Sequence, residues 1–390
     1  MDQLLIKDGR IVAPAGIIAR GWVSLAAGKI AAIGSGDAPA AVARGATVVD
    51  ASGLTVCPGF IDLHVHGGGG GHAHGGSPAS ILRMVGFHAR HGTTGMLVTT
   101  GAALHGELLA AIRAACDAAA SPDGGNILGV HLEGPYLSPK YKGAQPERFI
   151  RPAALTELQQ LLQVCPGFVR LVTLAPEVPG GLAAVDYLRR QGVIVAMGHT
   201  DATYDQAEQA IAAGVSHAAH MFSAMRPFHH REAGVVGAAL LDQRVTAELI
   251  CDNIHVRPEA ARILLTMKGS AGICLVTDAI AAAGQADGPA ELFGEPITVA
   301  GGAARLPDGT LAGSTLTLDR AVGNLVRSAG VSLSDAVRMA SSNPARVLGL
   351  ADRKGELSAG FDADIVLLDD DYAARMTIIA GRAVGPDVDA

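Results

Sequence analysis

The organisation of this chain can be read from Pro58-Gly59-Phe60-Ile61-Asp62-Leu63-His64-Val65-His66-Gly67, an apolar run that ends in two histidines. Side chains alternate between the two faces of a strand, so residues i and i+2 point the same way. The run therefore predicts a buried strand that projects His64 and His66 into one space. Histidine is a common metal ligand, so the pair could begin a metal site. Taken alone, it is also compatible with a polar strand end that carries two incidental histidines.

Seven further apolar runs follow this strand, and helix-like segments lie between most of them. The eight predicted strands are Gly59–Leu63, Met96–Thr99, Ile127–Leu132, Val169–Leu174, Val193–Met197, Ser216–Met221, Thr246–Cys251 and Ile273–Thr277. Long loops are predicted after the third strand and between the sixth and the seventh. Strands that alternate with helices predict a parallel sheet, and eight strands are the number that closes into a (β/α)8 TIM-type barrel. A doubly wound open sheet is the alternative, but no G-x-G-x-x-G motif follows the first strand.

The two ends of the chain differ from this central part. Residues 1–56 contain short apolar runs separated by turn signals such as Asp8-Gly9, and residues 355–390 return to strand character. A segment as short and as rich in edges as 1–56 is not expected to fold alone. We therefore predict that 1–56 and 355–390 form one small composite β-sandwich domain and that 57–354 form the catalytic barrel. Ile297–Leu311 reads as a hairpin inserted after the eighth strand.

The composition limits the class of protein. The 390 residues are 49% hydrophobic and 17% charged, which predicts a substantial buried core and not a disordered chain. The net charge is −7 without a basic stripe, so no nucleic-acid partner is expected. No apolar run long enough to span a bilayer and no signal-peptide pattern are seen, which predicts a cytoplasmic protein without a membrane partner. Dispersed cysteines without C-x-x-C spacing predict reduced, mostly buried thiols at Cys57, Cys116, Cys165, Cys251 and Cys274.

Ionisable side chains recur at the carboxyl ends of the predicted barrel strands. They are His64 and His66 on the first strand, Glu133 on the third, His199 on the fifth, His220 on the sixth and Asp278 on the eighth. Functional residues of such barrels lie at these ends. Each residue alone could be a helix cap or a core histidine, but together they indicate a metal site. Histidine and carboxylate ligands without cysteine suit Zn²⁺, with Fe²⁺, Mn²⁺ or Co²⁺ as alternative occupants.

A metal at these strand ends would support hydrolysis. It would lower the pKa of a bound water and polarise a carbonyl group. Asp278, alone on the last strand, could take a proton from that water and return it to a leaving amine. The pattern therefore predicts metal-assisted hydrolysis, with an amide as the favoured substrate.

Long motifs cover nearly the whole chain. They are PGFIDLHVHG (58–67), HLEGP (131–135), YKGA (141–144), GHTDAT (198–203), HMFSAMRP (220–227), HHRE (229–232), CDNIHV (251–256), LVTDAIAAAG (275–284), LAGSTLTLDRAVGNLV (311–326), NPAR (343–346) and GELSAGFDADIVLLD (355–369). This text resembles the amidohydrolase superfamily, and within it the deacetylases of N-acetylated amino-sugar phosphates. The resemblance implies a barrel with a composite β-domain. It also implies hydrolysis of the acetamide of N-acetylglucosamine 6-phosphate to glucosamine 6-phosphate and acetate, in amino-sugar metabolism.

The resemblance implies roles for the strand-end residues and a homodimer. The principal metal ligands correspond to Glu133, His199 and His220. His64 and His66 correspond to second-metal ligands of those members that have His-x-His there, so one or two ions per subunit are expected. Asp278 corresponds to the general base and acid.

The resemblance also implies a set of substrate-binding residues. Arg231 corresponds to an arginine that binds the sugar phosphate in the active site of the neighbouring subunit, and His255 to a residue that hydrogen-bonds the sugar. Gln145, Ser223 and Ala224 correspond to substrate-facing positions. Gln145 stands where the family usually has histidine, and Ser223 where it usually has asparagine. The metal ligands are thus kept while sugar recognition is altered, so N-acetylgalactosamine 6-phosphate or a different N-acyl group is an alternative substrate.

Two other functions fit parts of the pattern. An amidohydrolase of cyclic amides or N-acyl amino acids is one, although many of those use a carboxylated lysine where this chain has Glu133. A non-catalytic scaffold is the other, but such a protein would be expected to lose metal ligands or the base. A second His-x-His, His72 and His74, lies in a loop without strand support and is predicted to face solvent.

Overall fold

The chain divides into two compact units. The computed structural model describes residues 3–75 and 77–384. The described residues of unit 1 come from 3–62, 88–95 and 318–384, and those of unit 2 from 63–75, 77–87 and 96–317. The domain boundaries expected from the sequence, at 56/57 and 354/355, stay a prediction.

A parallel sheet of eight strands lies at the centre of the barrel, and it confirms the predicted fold class. Its strands are Phe60–Val65, Thr93–Thr100, Ile127–Glu133, Val169–Leu174, Ile194–Met197, His217–Ala218, Thr246–Ile250 and Ile273–Val276. They lie side by side in chain order. A parallel bridge from Val65 to Ala279 and a 2.8 Å hydrogen bond from the Asp278 N–H to the His64 carbonyl bring the last strand back to the first. All the carboxyl ends therefore open at one rim.

A helix follows each of the first seven barrel strands. These helices are Pro78–Ala89, His105–Ala119, Leu155–Gln163, Gly181–Arg190, Tyr204–Ala213, Gly234–Leu241 and Pro258–Lys268, with single 3₁₀ turns at Pro139–Tyr141, Glu147–Phe149 and Ser270–Gly272. Within the described residues, no helix has the length and hydropathy that crossing a bilayer requires.

One of these helices corrects the sequence-based prediction. The sequence predicts a loop between the sixth and seventh strands, but Gly234–Leu241 is helical. Its sequence, GVVGAALL, has no polar face, and all its residues except the last are buried. A helix that is apolar all round gives no 3.6-residue periodicity, so the pattern on which the prediction relied is missing.

A small antiparallel sheet follows the eighth strand in place of the single predicted hairpin. It contains four strands, Gly288–Leu292, Glu295–Ala300, Ala303–Arg305 and Leu311–Ser314. Their inward side chains pack with Ile280 in a separate apolar cluster that includes Phe293 and Ile297. A two-stranded hairpin, Gly67–Gly68 with Gly71–His72, follows the first barrel strand.

Unit 1 contains a sheet built from both ends of the chain, as predicted. Its strands are Leu4–Ala13, Gly16–Ala26, Lys29–Ser35, Thr47–Asp50, Thr55–Pro58, Ile365–Leu368, Ala374–Ile379 and Arg382–Val384. Thr55–Pro58 joins the two ends, because it pairs in parallel with the first strand and antiparallel with Ile365–Leu368. Its helices are Ala40–Ala43, Leu318–Ala329, Leu333–Ala340 and Ser342–Val347. Asp8-Gly9, expected to be a turn, is an irregularity inside the first strand with Asp8 at φ 65°.

The cysteines correct another prediction. Cys116 and Cys165 form a disulfide with an S–S distance of 2.15 Å, so the expectation of reduced thiols is wrong for this pair. The bond joins the helix His105–Ala119 to the segment after Leu155–Gln163. Cys57, Cys251 and Cys274 are buried and form no disulfide within the described residues, as expected. Sequence spacing could not reveal the pair, because the two cysteines are 49 residues apart and meet only when neighbouring helices pack.

Candidate metal centre

The six ionisable residues predicted from the strand ends come together at one point of unit 2. Glu133 lies at the middle of this group. Its Oε1 lies 2.9 Å from His220 Nε2, 3.0 Å from His199 Nε2 and 3.2 Å from His64 Nε2. Its Oε2 lies 3.2 Å from His66 Nε2. All of these side chains are buried.

The cluster contains two overlapping groups of potential metal ligands. His64, His66 and Glu133 form one group, and Glu133, His199 and His220 form the other. Within each group the ligand atoms lie within 4.8 Å of one another. Glu133 belongs to both groups, and its two oxygens face different histidines. One carboxylate could therefore serve two neighbouring cations.

Each of the four histidines is held by its Nδ1 atom and presents Nε2 to the centre. The acceptors facing Nδ1 are Glu248 Oε2 for His64 (2.8 Å), the Thr99 carbonyl for His66 (3.2 Å), the Tyr141 carbonyl for His199 (3.1 Å) and the Ser223 carbonyl for His220 (3.2 Å). An acceptor at Nδ1 keeps a proton on that nitrogen, so Nε2 is the atom that can offer its lone pair to a metal once it has lost any proton of its own. Outer partners of this kind are usual for histidines that bind metals.

The spacing of two of these nitrogens also suits a metal. His199 Nε2 and His220 Nε2 lie 3.0 Å apart. Two lone pairs at this distance repel each other unless a proton or a metal ion lies between them. Zn–N bonds of about 2.0–2.1 Å in a tetrahedral site place two ligand nitrogens about 3.3 Å apart. The donor set therefore fits a divalent cation.

Three of the site residues have left-handed backbone conformations. φ is 47° at His199, 27° at His220 and 49° at Asp278, and such strain at non-glycine residues typically costs about 1–3 kcal/mol each. Hydrogen bonds hold the strained residues in place. The His199 carbonyl accepts from the Ser138 N–H (2.8 Å), and the His220 N–H donates to Glu248 Oε2 (2.9 Å). Strain of this kind gathers at functional sites.

Glu248, which sequence reasoning missed, connects the two ligand groups. It is fully buried in the seventh barrel strand. Besides its contacts with His64 and the His220 N–H, it lies 3.1 Å from His217 Nε2. Burial alone would raise the pKa of Glu248, but the charge of His64 and the hydrogen bond with His217 hold it well below its usual range. A glutamate inside an otherwise apolar strand was the available signal, because glutamate is almost never fully buried without a partner.

The electrostatics of the cluster keep its carboxylates ionised. Burial alone would raise the pKa of Glu133, but His64 and His199 hold it well below its usual range. Burial would likewise raise the pKa of Asp278, but the charge of His64 and a hydrogen bond with His66 lower it. Asp278 Oδ1 lies 3.2 Å from His66 Nε2 and 3.7 Å from His64 Nε2. An ionised carboxylate is thus held beside the metal-facing nitrogens, where a base would be needed.

The predicted substrate-binding residues lie in different surroundings. Gln145 is 3% exposed, and its Nε2 contacts Glu133 Oε2 at 2.6 Å. Ser223 and Ala224 lie three and four residues after His220. The carbonyl of Ala224, whose φ is 47°, accepts a hydrogen bond from the Thr200 N–H. His255 is fixed by Asp252, whose Oδ2 lies 2.7 Å from its Nδ1.

Arg231 lies in an exposed turn bounded by a bridge between His229 and Glu232. Its guanidinium contacts His230 Nε2 at 2.8 Å. The roles of Arg231, Gln145, Ser223, Ala224 and His255 in substrate binding stay predictions.

A cavity of about 600 Å³ borders the cluster on the side of His66, and His72 and His74 also line it. His72 is exposed, as predicted, whereas His74 is partly buried, and this burial lowers its pKa. The Phe293 ring lies between His66 and His74, with centroid distances of 5.2 and 5.5 Å. The second His-x-His pair therefore lies nearer the site than its loop position suggested.

A comparison with known families agrees with this arrangement. Residues 55–385 match the model of the amidohydrolase family. This chain belongs to the amidohydrolase family. Members are metal-dependent, and both ligand groups fall inside the matched region.

Relatives within the amidohydrolase family match over most of the chain. The N-acetylglucosamine-6-phosphate deacetylase of Bacillus subtilis is 38% identical over 385 residues, which cover 98% of this chain and 97% of that protein. The N-acetylgalactosamine-6-phosphate deacetylase of Escherichia coli O157:H7 is 40% identical over 337 residues, covering 86% and 89%. A solved structure of a mutant N-acetyl-D-glucosamine-6-phosphate deacetylase from Mycobacterium smegmatis, in complex with N-acetyl-D-glucosamine-6-phosphate, is 37% identical with a TM-score of 0.93. The matched region covers 99% of this chain and 100% of the Mycobacterium smegmatis chain.

Proposed function

We propose that this amidohydrolase is a metal-dependent deacetylase that hydrolyses the acetamide of N-acetylglucosamine 6-phosphate to glucosamine 6-phosphate and acetate. The observation that carries the proposal is the convergence of four inward-facing histidine Nε2 atoms on Glu133 with Asp278 beside them. The names of the relatives from Bacillus subtilis and Mycobacterium smegmatis supply the substrate.

Glu133, His199 and His220 would hold one divalent cation, and His64 and His66 would hold a second together with Glu133. We propose Zn²⁺ as the occupant, with Fe²⁺, Mn²⁺ or Co²⁺ as alternatives, because the ligands are imidazoles and carboxylates without a thiolate. A cation held there acts as a Lewis acid that polarises the amide carbonyl and acidifies water.

Asp278 performs the proton transfers. Because it is ionised and next to the cluster, its Oδ1 accepts a proton from the attacking water. The same oxygen then donates that proton to the amine nitrogen as the C–N bond breaks. One carboxylate thus acts first as base and then as acid, and acetate and the free amino sugar are released.

Substrate recognition is assigned to residues around the rim. His255, held by Asp252 in a fixed orientation, would hydrogen-bond the sugar. Arg231 is exposed and ends in a guanidinium, which pairs well with phosphate oxygens. We propose that it serves the active site of a second subunit in a homodimer. A sugar phosphate carries a charge of about −1.5 to −2 and does not cross membranes unaided, so we propose a cytoplasmic location.

The direct test is acetate release from N-acetylglucosamine 6-phosphate by protein purified with its metal. We expect turnover that a chelator abolishes and Zn²⁺ restores. Unphosphorylated N-acetylglucosamine should be a much poorer substrate, because Arg231 would have no phosphate to bind. Equal rates with and without the phosphate would refute the assignment to sugar phosphates and favour another amide.

N-acetylgalactosamine 6-phosphate is the second candidate substrate. The relative from Escherichia coli that is named for this sugar is 40% identical to this chain. In addition, Gln145 and Ser223 depart from the residues usual at substrate-facing positions. Measuring kcat/KM for both epimers in one preparation decides between them, and no turnover of either would refute the proposed function.

A further inference from the structure

Gln145 has contacts that its predicted role does not explain. Its side chain is almost completely buried, at 3% exposure. Its Oε1 accepts a 2.7 Å hydrogen bond from the Ala102 N–H, and its Nε2 donates a 2.6 Å hydrogen bond to Glu133 Oε2. Both ends of the amide are therefore engaged inside the protein, and one of them touches a candidate metal ligand.

The orientation of this amide is fixed by its partners. The Ala102 backbone can offer only a donor at this point, so the carbonyl oxygen of Gln145 must face it. The amide nitrogen then faces Glu133, where it can only donate, because it has no lone pair for a metal. Gln145 thus binds the carboxylate that holds the cation but cannot compete as a ligand.

Glu133 needs such a partner, because its two oxygens have different neighbours. Oε1 lies close to His199, His220 and His64, whereas Oε2 faces His66. The terminal torsion of a glutamate is broad and has no strong intrinsic preference. The hydrogen bond from Gln145 gives Oε2 a partner that is not itself a candidate metal ligand, whereas its other neighbour, His66, is one. It therefore fixes the plane in which the carboxylate spans both ligand groups.

The same loop holds a second ligand. The Tyr141 carbonyl faces His199 Nδ1, and the Ser138 N–H donates to the His199 carbonyl. Gly143, at φ 56°, lies so close that an added Cβ would approach His199 Cε1 to 3.2 Å. The segment from 138 to 145 thus contacts both Glu133 and His199, and Gln145 is its link to the shared carboxylate.

We propose that Gln145 is a positioning residue for Glu133, which keeps Oε2 directed at His66 and thereby sets how tightly the His64–His66 side binds its cation. The inference rests on the proposed metal-dependent function. It differs from the role in substrate contact that the resemblance implies, because the amide acts through Glu133. Loss of Gln145 should weaken metal binding before it weakens substrate binding.

The test compares Gln145→Met with Glu147→Gln as a matched control. Methionine has a similar length but neither a hydrogen-bond donor nor a strong acceptor, whereas Glu147 lies in the same loop with its side chain 64% exposed. Zn²⁺ content per subunit is measured at limiting and saturating metal, and dissociation constants are measured by competition with a chelator. KM and kcat for N-acetylglucosamine 6-phosphate are measured at saturating metal.

We expect Gln145→Met to raise the dissociation constant of the weaker-bound Zn²⁺ about 10- to 100-fold, the usual effect of losing an outer partner of a metal ligand. Metal content at limiting Zn²⁺ should fall toward one ion per subunit, and kcat should fall more than KM rises. Glu147→Gln should match the wild type. Gln145→His should partly restore binding, because a neutral imidazole also offers one acceptor and one donor.

The outcomes separate this inference from the proposed function. If Gln145→Met binds Zn²⁺ like the wild type and raises only KM, Gln145 is a substrate contact and the inference is overturned, while the proposed function stands. Wild-type protein that binds none of Zn²⁺, Fe²⁺, Mn²⁺ and Co²⁺ overturns both. Should Gln145→Met fail to fold, Gln145→Asn replaces it, because its amide is one methylene too short to reach Ala102 and Glu133 together.

Discussion

Replacing Glu248 by glutamine should damage both folding and metal binding. The buried carboxylate receives three hydrogen bonds, from His64 Nδ1 (2.8 Å), the His220 N–H (2.9 Å) and His217 Nε2 (3.1 Å). Glutamine has the same shape but only one acceptor oxygen and no charge. Its oxygen can keep the position of Oε2, which serves His64 and His220, and its NH₂ group then faces His217.

The size of the effect follows from these bonds. A hydrogen bond to a charged group contributes about 1.5–3 kcal/mol, and a neutral one about 0.5–1.5 kcal/mol. The contacts with His64 and His220 therefore lose about 1–1.5 kcal/mol each. His217 can adapt, because its buried Nδ1 has no partner within the described part of the chain and can take the proton instead. We expect the free energy of unfolding to fall by about 2–3 kcal/mol.

Two measurements check this prediction. Urea unfolding of the metal-free protein gives the change in stability, and chelator competition gives the metal affinity, which should fall about 10- to 100-fold because His64 loses its charged partner. Glu147→Gln, an exposed change of the same chemistry, serves as the control. A Glu248→Gln protein within 0.5 kcal/mol of the wild type and with unchanged metal affinity would show that the buried network does not position His64.

Three further predictions concern the site itself. Asp278→Asn should lower kcat for N-acetylglucosamine 6-phosphate about 10²- to 10⁴-fold and leave the metal content unchanged; full activity, measured as acetate release, would contradict the proposed proton transfers. Replacing His64 and His66 together by alanine should lower the metal content from about two ions per subunit toward one, as measured by elemental analysis. The apparent affinity for Zn²⁺ should rise with pH. Burial alone would lower the pKa of His66, but hydrogen bonds with Asp278 and Glu133 raise it to about 9. Below that pH the His66 Nε2 carries a proton, which the metal must displace in order to bind. Chelator competition at pH 6, 7 and 8 should show this rise, and a flat profile would mean that no ligand releases a proton on binding.

The barrel and the cluster of ionisable side chains at its rim could be predicted because they depend on strand position. A strand that ends at a barrel rim places its last side chains toward the shared centre, so Glu133, His199, His220 and Asp278 could be assigned from spacing alone. The pairing of the two chain ends could also be predicted, because short strands with open edges need partners.

The missed features depend on contacts between distant segments. Glu248 and His64 meet across the barrel, 184 residues apart in the sequence, and no periodicity links them. The contact between Gln145 and Glu133 depends on the path of a long loop. The helix Gly234–Leu241 has no amphipathic pattern, because unit 2 surrounds it with apolar side chains.

The left-handed backbone at three site residues determines which substitutions can be interpreted. Asparagine, aspartate and histidine tolerate this conformation better than other residues with a Cβ. Asp278→Asn therefore keeps the backbone preference and isolates the proton chemistry, whereas alanine would change the local conformation as well as the side chain. The same holds for His199 and His220, at φ 47° and 27°. At these two positions asparagine is a more informative replacement than alanine. If activity is lost in an asparagine variant, the loss can be attributed to the missing imidazole, whereas in an alanine variant a distorted main chain could cause the same loss.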